Sequence, residues 1–242
     1  MVTGIRQPTF SQVINLLGAE AVSTISSKHI ILFGIGGVGG WCAEALIRSG
    51  VKYLTIVDYD CVEVGNINRQ AVADETTLGR LKVDIMRQRL QNINSDTEIT
   101  AIPKKWQPGN EKAFNIESYD YILDAIDDIP NKRHLICSAL NTKNTLFSCM
   151  GAGHRIDATK IRIGPFSQVT GCPLARKLRQ EMKKADYTPI YDFSCVYSIE
   201  KPIATSGTIA HVVASFGFLL AQLVITDIIG LQPSLSTLSI MK

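Results

Sequence analysis

Hydrophobic positions along this chain fall into short dense runs, separated by longer stretches where they recur every three or four residues. His29-Ile30-Ile31-Leu32-Phe33 and Tyr53-Leu54-Thr55-Ile56-Val57 are compact apolar runs. Runs of that length read as strands covered on both faces, not as helices. Between them Ala43, Ala45, Leu46 and Ile47 have helical spacing over Trp41–Ser49. Ahead of them, Ser11–Leu17 and Glu20–Ile25 read as two short helices. Downstream, the spacing predicts a helix over Gly79–Ile93, with Leu81, Ile85 and Leu90 on one side. Strands follow at Glu98–Ile102 and Tyr119–Leu123, then a helix from Pro130 to about Leu140, then a strand at Leu146–Met150. Strands alternating with helices imply an α/β fold, a Rossmann-like, mostly parallel sheet with helices on both faces.

Beyond Gly151 the rhythm changes. Strands are expected at Lys160–Ile163 and Phe193–Tyr197, flanking a basic helix over Pro173–Ala185. The stretch from Thr208 to Leu231 is almost wholly apolar and long enough to span about 30 Å of hydrocarbon. His211, Gln222 and Asp227 interrupt it, however, and Ser215, Gly217 and Thr226 dilute it. A helix buried in the core of the α/β unit is the expectation.

Composition narrows the class without naming a function. The chain has 242 residues, 45% hydrophobic and 19% charged, with a net charge of +3. This is ordinary globular composition and excludes a disordered chain. Net charge alone does not make a dedicated polyanion binder. Met1–Pro8 has no apolar run behind a basic start, so no secretory signal is expected and the location is read as cytoplasmic. Cys42, Cys61, Cys137, Cys149, Cys172 and Cys195 form no C-x-x-C pair. That scatter points to reduced thiols and away from a structural zinc.

Candidate chemistry begins at Gly34-Ile35-Gly36-Gly37-Val38-Gly39, which follows a strand and opens a helix. Gly34, Gly36 and Gly39 permit a tight turn, close approach of backbone to phosphate and close helix packing. Asp58, nineteen residues after Gly39, ends the next strand and can accept hydrogen bonds from ribose hydroxyls. The following segment departs from a hydride-transfer enzyme: Asp60, Glu63, Asn66, Asn68, Arg69 and Gln70 crowd together, and Lys82 opens the next helix. Cleaving a triphosphate requires cations where leaving-group charge develops, which suits Arg69 and Lys82. Asp127, past the end of a strand, suits Mg²⁺. One of Asp124, Asp127 and Asp128 is expected to cap the helix opened by Pro130.

Five ordered motifs then carry a resemblance: Gly34–Gly39, Asp58-Tyr-Asp60, Asn66-Ile-Asn-Arg-Gln70, Gly79-Arg-Leu-Lys82 and Asp124-Ala-Ile-Asp127. Together they resemble the adenylation core of the ubiquitin-activating (E1-like) superfamily. The resemblance implies ATP and Mg²⁺ at Gly34, Gly36, Gly37, Gly39, Asp58, Asn66, Asn68, Arg69, Lys82 and Asp127. It gives Arg69, Lys82 and Asp127 the catalytic roles, with Asp127 as metal ligand. The implied reaction is attack of a substrate carboxylate on the α-phosphate, giving an acyl-adenylate and pyrophosphate.

Gly151-Ala-Gly153, Pro173-Leu-Ala-Arg-Lys-Leu-Arg179, Ser194-Cys-Val-Tyr-Ser198 and the apolar C-terminal helix are similar to the tRNA threonylcarbamoyladenosine dehydratase branch. That branch cyclises the threonylcarbamoyl group on adenosine 37 of certain tRNAs. The resemblance implies one adenylation domain over residues 1–242: a helical segment 1–28, a nucleotide-binding core 29–150 and an elaboration 151–242. It further implies a homodimer and contact with a cysteine-desulfurase sulfur-acceptor system. The tRNA would meet a basic stretch formed by Arg155, Lys160, Arg162 and the helix carrying Arg176, Lys177, Arg179, Lys183 and Lys184. The alternatives are an activator of a small sulfur-carrier protein, using Cys172 or Cys195 as thioester, and a non-catalytic scaffold that binds ATP or tRNA. One departure stands out: where the branch is expected to be basic near the N-terminus, this chain has Thr9 and Asn15, and Arg6 is its only arginine before Arg48.

Overall fold

Successive residues of β1 (His29–Phe33) enter two different cores. Ile30 and Leu32 pack on one side and Ile31 and Phe33 on the other, because side chains alternate across a strand. The chain therefore needs cover on both faces of its sheet. The computed structural model, which describes residues 10–185, 187 and 192–231, supplies it. On one face lie α3 (Gly39–Arg48), α4 (Lys82–Ile93) and α7 (Ala210–Ile228). On the other lie α5 (Ile129–Leu140) and α6 (Pro173–Lys184). Two short helices, α1 (Ser11–Leu17) and α2 (Ala19–Ser26), precede β1.

Between these layers runs a seven-stranded sheet with the order β3-β2-β1-β4-β5-β7-β6. Its members are β2 (Tyr53–Val57), β3 (Glu98–Ile102), β4 (Tyr121–Asp124), β5 (Thr145–Cys149), β6 (Ile161–Pro165) and β7 (Ser194–Ser198). All pairings are parallel except β6 with β7. The strand order reverses between β1 and β4, and that switch point opens a crevice at the carboxyl ends of the strands.

Several boundaries move from their sequence-based positions. The fourth helix starts at Lys82, since Gly79 takes φ +75° and Leu81 is extended. β4 starts at Tyr121, because the Asp120 carboxylate is spent on the His29 N–H. The terminal helix is shorter than its apolar stretch, at Ala210–Ile228. By length and composition it is apolar enough to cross a membrane, but half of it is buried in this fold, with Val212, Phe216, Leu220 and Val224 in the core.

Gly217 sets how closely α7 approaches α3. A Cβ there would lie 2.4 Å from the Val38 carbonyl oxygen and 2.9 Å from the Cys42 nitrogen. Both obstacles are backbone and cannot swing aside. Gly217→Ala is expected to cost about 1–3 kcal/mol by overpacking, read as a thermal midpoint lower by several degrees. An unchanged midpoint would mean the two helices do not pack this closely.

Candidate active site

A cavity of about 270 Å³ lies along the carboxyl ends of the strands. Its lining follows five neighbouring strands: Lys104–Trp106 after β3, Asp58–Asp60 after β2, Gly34, Gly36, Gly37 and Val38 after β1, Ala125–Asp128 after β4 and Met150–Gly153 after β5. Adjacent strands are ~4.8 Å apart, so the crevice is about 19 Å wide.

Two glycines of the turn, Gly34 and Gly39, have nowhere to put a side chain. Gly34 takes φ +89°, and its Cβ would meet the Ala125 carbonyl oxygen at 2.8 Å. A Cβ on Gly39 would sit 1.7 Å from the Gly34 carbonyl oxygen, so α3 starts flush against the turn. Asp58 is nine-tenths buried and accepts hydrogen bonds from the Ile35 N–H at 2.6 Å and the Asp60 N–H at 2.9 Å. Burial raises its pKa from the ordinary value, against these two bonds and the Lys82 charge. Lys82 Nζ lies 2.9 Å from Asp60 and is almost wholly buried. Arg69 lines the same cavity and donates to the Gly65 carbonyl at 2.6 Å and to Asn68 Oδ1 at 2.9 Å.

Gly34, Gly36, Gly37, Asp58, Arg69, Lys82 and Asp127 thus come together around one space. Asn66 and Asn68 are placed differently. Asn66 is buried and pairs with Glu63 in a capping box on the Val64–Asn66 turn. Asn68 donates to the Thr208 carbonyl, tying this segment to the start of α7. Both shape the Arg69 loop without lining the cavity.

Of the three acids after β4, Asp128 caps α5, accepting from the Asn131 N–H. Asp127 is exposed and lines the cavity. Asp124 is fully buried and forms a 2.7 Å ion pair with the equally buried Lys132. It also accepts from Ser148 Oγ and the Ile126 N–H, while Lys132 Nζ donates to the Ile126 carbonyl at 3.0 Å. This network fixes the loop that carries Asp127, and the sequence motifs do not reveal it. A signal for it exists: Lys132 falls on the buried face of α5, three and four residues before Leu135 and Ile136.

Two further cavity residues carry unspent polar atoms. Gln70 Oε1 and Trp106 Nε1 are buried with no hydrogen-bond partner among the described residues. Buried polar atoms left unpaired are costly, and here both face a cavity where water or a ligand would complete their bonding.

The basic stretch is smaller than its sequence suggests. Arg155 is buried and not a surface cation. Arg179 lies over the Phe166 ring and donates to the Phe166 and Val169 carbonyls. Lys184 pairs with Glu181, Lys160 with Asp157, and Arg162 donates to the Thr159 and Ile161 carbonyls. Arg176, Lys177 and Lys183 stay exposed on α6, opposite its buried Ala175, Leu178 and Met182.

Comparison with known proteins matches residues 10–241 to the ThiF family. The chain belongs to that family. Within it, the chain is 35% identical over 196 residues to the tRNA threonylcarbamoyladenosine dehydratase of Haemophilus influenzae, covering 81% of this chain and 75% of that one. The Escherichia coli enzyme of the same name is 34% identical over 197 residues, covering 79% and 73%. The crystal structure of the Escherichia coli tRNA N6-threonylcarbamoyladenosine dehydratase in complex with AMP superposes with a TM-score of 0.86 at 31% identity, covering 92% and 94%. Its complex with ATP gives the same TM-score at 32% identity. This ThiF-family chain therefore falls in the dehydratase branch.

Within the ThiF frame, the cysteines are poor thioester candidates. Cys195 is fully buried and burial pushes its thiol well up; Cys172 is buried at the start of α6. An attacking thiol needs access and a depressed pKa. Asn15 is exposed on α1, while Arg6 and Thr9 lie outside the described residues.

Proposed function

We propose that this chain is an ATP-dependent tRNA threonylcarbamoyladenosine dehydratase, acting through an acyl-adenylate of the threonyl carboxylate. The observation that carries the reading is the single cavity at the strand switch point, which holds the glycine turn, Asp58, Arg69, Lys82 and Asp127 together. Asp58 holds the ribose. The glycine-turn backbone, Arg69 and Lys82 take the phosphates, where the charge of departing pyrophosphate develops. A single free carboxylate fits Mg²⁺, which typically binds one or two protein carboxylates together with substrate phosphates. Asp127 is the group that would hold it, and the ion would supply charge neutralisation.

The second step needs no enzyme nucleophile. The ureido nitrogen of the same side chain closes a five-membered ring on the activated carboxyl and releases AMP. Its tether supplies a high effective molarity. Burial of Cys172 and Cys195 favours this over a thioester relay, and the convergence of Arg69, Lys82 and Asp127 on one cavity opposes a purely binding scaffold. The reading also includes one adenylation domain, supported by β7 pairing directly with β5, a homodimer, and a cytoplasmic location.

The deciding experiment combines purified protein, ATP, Mg²⁺ and tRNA carrying the threonylcarbamoyl group, followed by digestion and mass analysis of the nucleoside. A nucleoside lighter by one water, formed only with ATP and with AMP released, is the expected product. An unchanged nucleoside would sink the reading. For tRNA docking, neutralising Arg176 and Lys177 together is expected to reduce the salt-dependence slope of binding by up to about 2, one for each phosphate that no longer meets a cation. An unaltered slope would place the tRNA elsewhere.

A further inference from the structure

A bound nucleotide does not account for the whole crevice. With its ribose at Asp58 after β2, its phosphates at the glycine turn after β1 and Asp127 after β4 facing those phosphates, the nucleotide lies over β3 to β4. The β5 half is walled by Met150, Gly151-Ala152-Gly153, Leu174 and Thr208. Small and apolar groups predominate there, which suits a reactive acyl group that must be kept from water.

The Gly151–Gly153 wall is held under strain. His154 takes φ +66°, a left-handed conformation that costs a non-glycine residue free energy and persists only where its surroundings impose it. Two backbone bonds hold it, from the His154 N–H to the Gly207 carbonyl at 3.0 Å and from the Ile203 N–H to the His154 carbonyl at 2.9 Å. Arg155 does the rest. Its Nη1 donates to the Gly151 carbonyl at 2.7 Å and the Gly153 carbonyl at 2.9 Å, and its Nε to the Glu200 carbonyl at 3.1 Å.

Arg155 is only 5% exposed, yet it has no carboxylate partner among the described residues. Glu200, the nearby acid, spends its carboxylate on the Ile156 and Asp157 N–H groups. Arg155 Nη2 has no partner at all among the described residues. A buried cation whose bonds among the described residues all go to carbonyls is an expensive way to brace a loop. Its charge sits one peptide group behind a cavity wall, where it favours an anion.

Orientation follows from the peptide itself. In a trans peptide the C=O and the next N–H point in opposite directions. With the Gly151 carbonyl drawn back to Arg155, the Ala152 N–H is turned to the other side, and it has no acceptor among the described residues. Ala152 lines the cavity.

We propose that the β5 half of the crevice binds the threonylcarbamoyl side chain, and that Arg155 is the positioning residue which aims and polarises the Ala152 N–H at its carboxyl oxygen. The inference rests on the dehydratase reading above. The cation behind the wall first attracts the carboxylate for adenylation. In ring closure the ureido nitrogen bonds to the acyl carbon, and the carbonyl electrons move onto oxygen, where the Ala152 N–H meets them. The carbonyl then re-forms, the acyl C–O bond to AMP breaks with its electron pair leaving on AMP, and the ureido proton passes to solvent. A preorganised donor at a developing oxyanion typically contributes 10²–10³-fold in rate.

The test compares Arg155→Met, Arg155→Gln and Arg155→Lys with the parent chain for formation of the lighter nucleoside, with KM measured separately for ATP and tRNA. Arg155→Met is expected to lose about 100-fold in kcat while KM for ATP stays within twofold. Arg155→Lys, which keeps the charge and one donor, should recover at least tenfold of that loss. Arg155→Gln keeps donors for the two wall carbonyls and tests the charge without emptying the site, in case the methionine variant does not fold; a loss of at least tenfold is expected. A kcat within twofold of the parent in Arg155→Gln or Arg155→Met overturns the proposal. So does a KM for ATP that rises in step with the fall in kcat, the signature of general loosening. A parent chain that forms no lighter nucleoside instead overturns the dehydratase reading itself.

Discussion

Arg69→Ala is expected to slow pyrophosphate release by about 10³-fold, the usual scale for removing an arginine that meets phosphoryl charge. The fold should hardly notice. Arg69 is half-buried and its guanidinium bonds are local, to Gly65 and Asn68, so the thermal midpoint should move by less than ~2 °C. Asp127→Ala carries the same expectation, since Asp127 is exposed and makes no ion pair among the described residues. Pyrophosphate release at saturating ATP, alongside a melting curve for each variant, separates lost chemistry from lost structure. Near-parental turnover in either variant removes that residue from the site. A loss of turnover matched by a collapse in melting temperature would mean these side chains brace the fold.

Asp124→Ala should do the opposite, damaging the fold first and activity through it. It strands Lys132, wholly buried, with only the Ile126 carbonyl left to it among the described residues. Removing one member of a buried pair costs about 3–5 kcal/mol. At roughly 2–4 °C per kcal/mol for a chain of this size, the midpoint should fall by about 6–20 °C. Replacing both partners by apolar residues, Asp124→Leu with Lys132→Met, is expected to be much milder, because no unpaired charge is left behind. Even so, the double variant should turn over slowly. Asp124 accepts from the Ile126 N–H and Lys132 donates to the Ile126 carbonyl, next to Asp127. A double variant with full activity would show that the Asp127 loop holds its shape without them.

Much of this is legible in the sequence because local rules and tertiary demands agree. Ile30 to Phe33 reads as a strand covered on both faces, by its length and the glycine turn after it, and Gly39 is a glycine because any Cβ would collide with Gly34. The cavity residues Gly34, Gly36, Gly37, Asp58, Lys82 and Asp127 are each readable from position after a strand or at the start of a helix, and Arg69 from the polar cluster around it. What spacing conceals is the partner of each side chain. Arg155 and Arg179 count as surface charge in a composition yet are committed to backbone carbonyls. Asn66 and Asn68 lie in a polar cluster that reads as ligand-binding, but a local capping box with Glu63 claims the first and a tertiary bond to the Thr208 carbonyl the second. The Arg155 wall has no sequence signal, since it depends on where residues 200 to 207 return to meet it.

The position of β7 has a consequence for how the chain is made. β5 has β4 on one side, but its other edge stays bare until Ser194–Ser198 is available, and β6 reaches the sheet only through β7. The apolar flank of α3 likewise waits for α7, whose Gly217 fits against it. During synthesis, then, a nascent chain carrying every nucleotide-binding residue still presents an open strand edge and an uncovered core. Such an intermediate is exposed to misassociation. A chain stopped at Glu200 has β7 but lacks α7, so its flank of α3 would stay uncovered until the last helix emerges.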